Sequence, residues 1–249
     1  MLETFLPPEI SLVVASALMV VSFLASLITA AFGIGGGVVM IAVLASLLPP
    51  AALIPVHAVV QVGSNAGRAL IMRAHIDWPV WMVFLAGTVV GVAVGGVIVI
   101  DLPPSLIQIG IGVFILWTIF MKPPAFLRHS AWLAGGVSSV LTMFFGATGP
   151  FVAAYLKTLQ YDRMTQVATQ GACMTAQHLL KVVAFGVLGF AFGPYIPLIA
   201  GLIGFGFLGT LTGKRLLMKI NEALFKRVLN GILIVLSLRL VWAGLSAYL

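Results

Sequence analysis

Charge is scarce in this chain of 249 residues: Asp and Glu together number 6, Lys and Arg 13, and only 8% of positions are charged. Soluble domains carry about 25% charged residues, so no water-facing surface can be built from this composition. Cysteine is nearly absent. Cys173 stands alone, which excludes an intramolecular disulfide and a thiolate metal cluster. All six carboxylates, Glu3, Glu9, Asp77, Asp101, Asp162 and Glu222, fall in loops or at helix ends, so the apolar runs contain no carboxylate pair and no acidic ligand for a coupled ion. No metal-ligand cluster or activated nucleophile can be assembled there either. The chain is therefore expected not to be an enzyme and to need no cofactor or metal. Lys and Arg are also missing before the first apolar run, residues 10–31, which is too long for the core of a signal peptide and is expected to be retained.

What fills the chain is apolar: 61% hydrophobic residues, with a mean hydropathy of +1.19. This composition predicts an all-α polytopic membrane protein whose solvent is the lipid bilayer. The net charge of +7 would suggest nucleic acid in a soluble protein. Here the basic residues sit mostly in short loops, and no nucleic-acid partner is expected. The apolar segments run roughly 10–31, 38–48, 51–72, 79–100 and 104–121, then 129–145, 150–159, 164–190, 194–217 and 224–248. In each half the second segment is far shorter than the ~20 residues that span a bilayer core. One membrane domain, 1–249, is therefore read as two repeats, about 10–121 and 129–248, each a hairpin with its tip inside the membrane followed by three spans. Loop charges at Arg73, Lys122, Arg128, Lys157, Arg163 and the Lys214–Arg227 cluster are expected to be cytoplasmic, with both termini outside. Each half then crosses an odd number of times, so the repeats are inserted in opposite senses.

The hairpin tips are glycine-rich. Residues 32–40 read FGIGGGVVM and residues 145–150 read FGATGP, and one sequence offset carries Gly33 onto Gly146 and Gly36 onto Gly149. Such a break bares successive backbone N–H groups next to a helix N-terminus, and inside a bilayer it must be covered by protein or water. Gly33, Gly35, Gly36, Gly37, Gly146, Thr148, Gly149 and Pro150 are the candidate tip residues. The helix after each hairpin carries a polar stripe: His57, Gln61, Asn65 and Arg68 in the first, Gln170, Gln177, His178 and Lys181 in the second. The same offset superimposes Arg68 on Lys181. Amides, helix N-termini and two fixed positive charges would suit a small anionic substrate at the midplane. Plainer readings exist for each feature. Arg68 could snorkel to the inner interface, Arg239 could brace Asp101, and the histidines could be hydrogen-bonded core residues. The ladder Gly87, Gly91, Gly95 and the pair Gly209, Gly213 suit either packing within the chain or a homodimer through Gly-xxx-Gly faces.

With FGIGGG, FGATGP and a duplicated helical plan, the chain resembles the sulfite exporter TauE/SafE family of bacterial membrane transporters. The resemblance implies an inner-membrane carrier that moves a small sulfur oxyanion such as sulfite or an organosulfonate, usually outward. Gly33, Gly36 and Gly37 match the family's first glycine motif, and Gly146, Gly149 and Pro150 its second. An anion channel on the same scaffold, or an importer of a related anion such as thiosulfate, is the alternative. With no carboxylate in the spans, efflux driven by the membrane potential is expected, and proton coupling through His57 or His178 is the other possibility.

Overall fold

The computed structural model describes residues 6–32, 35–99, 103–122, 124–216 and 222–248. Among these residues the fold is entirely helical: α1 Leu12–Phe32, α2 Gly36–Leu47, α3 Pro50–Ile71, α4 Trp78–Val99, α5 Pro104–Phe120, α6 Ala131–Phe145, α7 Gly149–Leu156, α8 Arg163–Val187, α9 Ile196–Leu216 and α10 Glu222–Leu245. Proline, whose fixed φ suits a first turn, opens α3 and α5, while Asp162 caps α8 by accepting from the backbone N–H groups of Met164 (2.8 Å) and Thr165 (3.1 Å). The two short arms have 12 residues (α2) and 8 residues (α7), too few to cross a bilayer. Four helices are long and apolar enough to cross one: Leu12–Ala30, Trp78–Val99, Gly193–Gly213 and Arg227–Leu245. Helices α3 and α8 are as long, but polar side chains dilute their hydropathy.

The outer surface is apolar, as a lipid-facing surface must be. Val90, Val94 and Val97 of α4, Phe207 and Leu211 of α9, and Val235 and Trp242 of α10 are all exposed. Inside, the main contacts pair α1 with α9, α4 with α6, α3 with α8 and α5 with α10, and α3 and α4 also touch α9 and α8 respectively. Exchanging the two halves maps α1–α9 onto α4–α6 and α3–α9 onto α4–α8. The polar helices α3 and α8 thus meet each other at the centre, with the apolar helices around them.

Close helix crossings explain the glycine ladders. A Cβ on Gly87 would lie 2.1 Å from the Trp132 carbonyl oxygen and one on Gly91 2.2 Å from that of Gly136, so the α4 ladder is filled by α6. Gly209 and Gly213 likewise meet α1, at 2.0 Å from the Phe23 and 2.8 Å from the Leu27 carbonyl oxygens. Both faces pack within the chain, the first of the two roles they suited. Tyr155 is buried with Phe84, Leu156 and Cys173. Where the halves meet at one end, the Asp77 backbone N–H donates to the Thr169 hydroxyl (3.0 Å), and the Asp77 carboxylate accepts from the Val80 N–H (3.0 Å) and the Tyr161 hydroxyl. Burial and this hydrogen bond push the Tyr161 hydroxyl pKa up. The suggested Arg239–Asp101 brace lies outside the described residues.

Candidate functional site

Both tips place a glycine where other residues would be strained: Gly35 precedes α2 with φ +107°, and Gly146 follows α6 in a left-handed conformation, φ +75°. Helices α2 and α7 start from these turns, and their N-terminal residues line one shared space. The first N–H groups of any helix have no carbonyl behind them, so both ends favour negative charge. Pro150, in the first turn of α7, removes one donor, and Gly35 and Gly37 expose backbone on the opposite side.

The space between them is a cavity of about 40 Å³, against the roughly 10–15 Å³ that one water needs, so it holds only a few heavy atoms. Its walls include Gly35, Gly37, His57, Gln61, Asn65 and Arg68 from the first half, and Gly146, Gly149, Pro150, Gln170 and His178 from the second. Thr29, Val38, Ala147 and Met174, which the sequence pattern did not single out, complete it. Arg68 is only 9% exposed, and no carboxylate pairs with it among the described residues. Its guanidinium donates to the Thr29 carbonyl oxygen (3.5 Å) and to the Asn65 side-chain oxygen. Asn65 in turn donates to the Gln61 carbonyl oxygen (2.7 Å) and side-chain oxygen (3.3 Å). Arg68 is therefore anchored deep in the protein, and the snorkelling reading fails. Two guanidinium nitrogens are engaged, and the five-donor fork retains capacity for a ligand.

The two histidines meet edge to face, with ring centroids 5.7 Å apart and planes at 78°. His57 Nε2 lies 3.1 Å from the Gly37 carbonyl oxygen, while Nδ1 of both rings is buried without a partner. A Cβ built on Gly146 would sit 3.3 Å from His57 Nδ1, which places that nitrogen against the second tip.

Not every expected residue reaches the cavity. Gly33 lies outside the described residues. Gly36 packs on α1, where its Cβ would be 1.8 Å from the Ala25 carbonyl oxygen. Thr148, Gln177 and Lys181 are fully buried; Gln177 and Lys181 face α6, and Thr148 bonds Gln177. Gln177 donates to the hydroxyls of Ser138 (2.8 Å) and Ser139 (2.9 Å) and accepts from Thr148 (3.1 Å), and the Lys181 ammonium donates to the Thr142 carbonyl (3.3 Å) and hydroxyl (3.2 Å) oxygens. The physical reason is the helical ridge. Gln170, Met174 and His178 recur every four residues along the cavity side of α8, whereas Gln177 and Lys181 form the neighbouring ridge toward α6. Thr29 and Thr142 share one sequence offset with the cations that touch them. Each precedes its tip by four residues, a repeat signal that would have found them.

The cavity is thus lined with donors and one fixed cation in a helical shell with an apolar exterior. The chain finds no match among curated proteins and none among solved structures. Its sequence does match the family model described as "Sulfite exporter TauE/SafE" over residues 18–240, and by that match, across most of its length, the chain belongs to the sulfite exporter TauE/SafE family.

Proposed function

We propose that the protein carries a small sulfur oxyanion across the bacterial inner membrane, binding it between the two hairpin tips. One observation bears most of the weight: Arg68 is buried beside two converging helix N-termini with no acidic partner. A desolvated cation of this kind is costly unless an anion completes it. The family supplies the class of that anion, and the small cavity favours an inorganic ion such as sulfite over a bulky organosulfonate. The fifteen candidates among the described residues then fall into two roles. Gly35, Gly37, His57, Gln61, Asn65, Arg68, Gly146, Gly149, Pro150, Gln170 and His178 would meet the substrate; Thr148, Gln177 and Lys181 would hold the second tip in place, and Gly36 would fix the first against α1.

The reciprocal packing of the two halves supports an inverted repeat, and the basic loops support placing both termini outside the cytoplasm. In that arrangement a monoanion leaves the cell down a potential worth about 2.3 kcal/mol per 100 mV, without sodium. Proteoliposomes loaded with sulfite are expected to release it faster when a potassium diffusion potential makes the interior negative, and external sulfite should accelerate the exchange of label. Flux that ignores the potential and stops without a pH gradient would overturn uniport and leave the histidines as proton carriers. Single cysteines at the termini, in a Cys173-free background, should be labelled only from outside.

A further inference from the structure

We infer that the cavity selects its oxyanion in the singly protonated, monoanionic form, with Arg68 taking the charge and His57 Nδ1 accepting the ligand's O–H. This rests on the oxyanion reading of the site and specifies which ionic form it binds. The first step is the tautomer. The Gly37 carbonyl can only accept a hydrogen bond, so the His57 Nε2 facing it at 3.1 Å carries a hydrogen. In the neutral ring Nδ1 is then a bare lone pair. That lone pair is buried, has no protein partner and lies against the Gly146 tip. A buried unmet acceptor costs free energy until a donor arrives. A fully deprotonated oxyanion brings no donor, whereas its hydrogen-bearing form does.

The charge count points the same way. The titratable groups around His57 are Arg68 and His178, which share its cavity wall, and Lys181 on α8, which acts on it at longer range; among the described residues α2, α6 and α7 carry no charged side chain. The Lys181 ammonium is held on Thr142 and is not part of the cavity wall, so Arg68 is the one charged side chain lining it among the described residues. A monoanion finds its contact cation in Arg68, whereas the second charge of a dianion would meet no further cation in the wall. The remaining lining groups, tip N–H and side-chain amides, serve the unprotonated oxygens.

Sulfite is a suitable probe because its second ionisation falls near neutrality, and methanesulfonate is a monoanion of similar size that has no O–H. Equilibrium binding of each to the purified protein, measured across that ionisation, separates the possibilities. For the wild type, sulfite affinity should fall about tenfold per pH unit above the ionisation while methanesulfonate affinity stays level. Sulfite affinity that is flat or rises with pH, or two ligands that fall together, would overturn the inference. In His57→Gln the new amide can still donate to Gly37 but the Nδ1 acceptor is gone. The wild-type preference for sulfite over methanesulfonate at low pH should shrink about tenfold, the worth of one hydrogen bond to a charged group. An undiminished preference would also overturn it. If neither ligand binds the wild type, or Arg68→Met binds both as the wild type does, the oxyanion reading of the cavity fails first and this inference with it. The wild-type arms decide the matter even if the His57 variant does not fold.

Discussion

Helices α3 and α8 carry polar stripes that align by one sequence offset, and the two aligned cations sit differently: Arg68 lines the cavity and Lys181 does not. Both Arg68 and Lys181 donate to the carbonyl oxygen of a threonine four residues before a glycine tip, Thr29 and Thr142 respectively. Each thereby complements the negative end of the helix that leads into its tip. The difference lies in what remains. A guanidinium has five donors in a rigid fork and can hold a carbonyl while meeting a ligand; an ammonium with three, already on the Thr142 carbonyl and hydroxyl, is committed to structure. The same carbonyl contact recurs in both halves, and the guanidinium alone keeps donors to spare. The tips differ in the same way: the first is locked by close packing of Gly36 on α1, the second by the Lys181–Thr142 and Gln177–Thr148 hydrogen bonds.

The largest test of that comparison is at the tips. Gly36→Val should fail to fold, since its Cβ would stand 1.8 Å from a backbone carbonyl and the clash exceeds the about 1–3 kcal/mol of ordinary overpacking. Gly149→Val has space, its nearest neighbour being Met174 Cε at 3.9 Å, and should fold but lose binding. Thermal melting and ligand titration of the two variants in detergent would separate these outcomes; equal melting temperatures would break the distinction between packing tip and binding tip.

Next in size is the cation pair. Arg68→Met should weaken oxyanion binding roughly 10- to 150-fold, the worth of a desolvated charge-assisted hydrogen bond of about 1.5–3 kcal/mol. Lys181→Met should change affinity by less than about threefold and act mainly on stability, because the lost contact is to Thr142. A larger affinity loss from Lys181 than from Arg68 would reverse the roles.

The smallest effect concerns how the two helices begin. Pro49 precedes α3 and offers no side-chain cap, whereas Asp162 caps α8 and also accepts from the Thr165 hydroxyl (2.6 Å). Those hydrogen bonds, from the Thr165 hydroxyl first, hold the Asp162 carboxyl below the usual carboxylate range. A depressed carboxylate stabilises the fold fully above its unfolded value of about 3.9 and loses that contribution as pH falls through the folded value. Melting temperature should therefore decline modestly on acidification, and Asp162→Asn, still a good cap, should remove that part of the decline.

Much of this architecture was legible in the chain alone. Scarce charge and high hydropathy dictate a membrane protein, because nothing in the sequence could cover a soluble surface. Segment lengths mark α2 and α7 as arms too short to span, and the glycines at 33–37 and 146–149 mark where the chain turns. The stripes on α3 and α8 were visible as helical spacing, since periodicity is a local property. What spacing cannot tell is which ridge of a stripe faces which neighbour. That choice depends on how α6 and α8 cross, and only the tertiary structure turned Gln170 and His178 to the cavity and Gln177 and Lys181 to Ser138, Ser139 and Thr142. The same holds for the glycine ladders, whose partner surface is set by packing rather than by composition. Sequence determined the solvent, the turns and the kinds of donor available; the packing of the two halves decided that one cation, not two, faces the cavity.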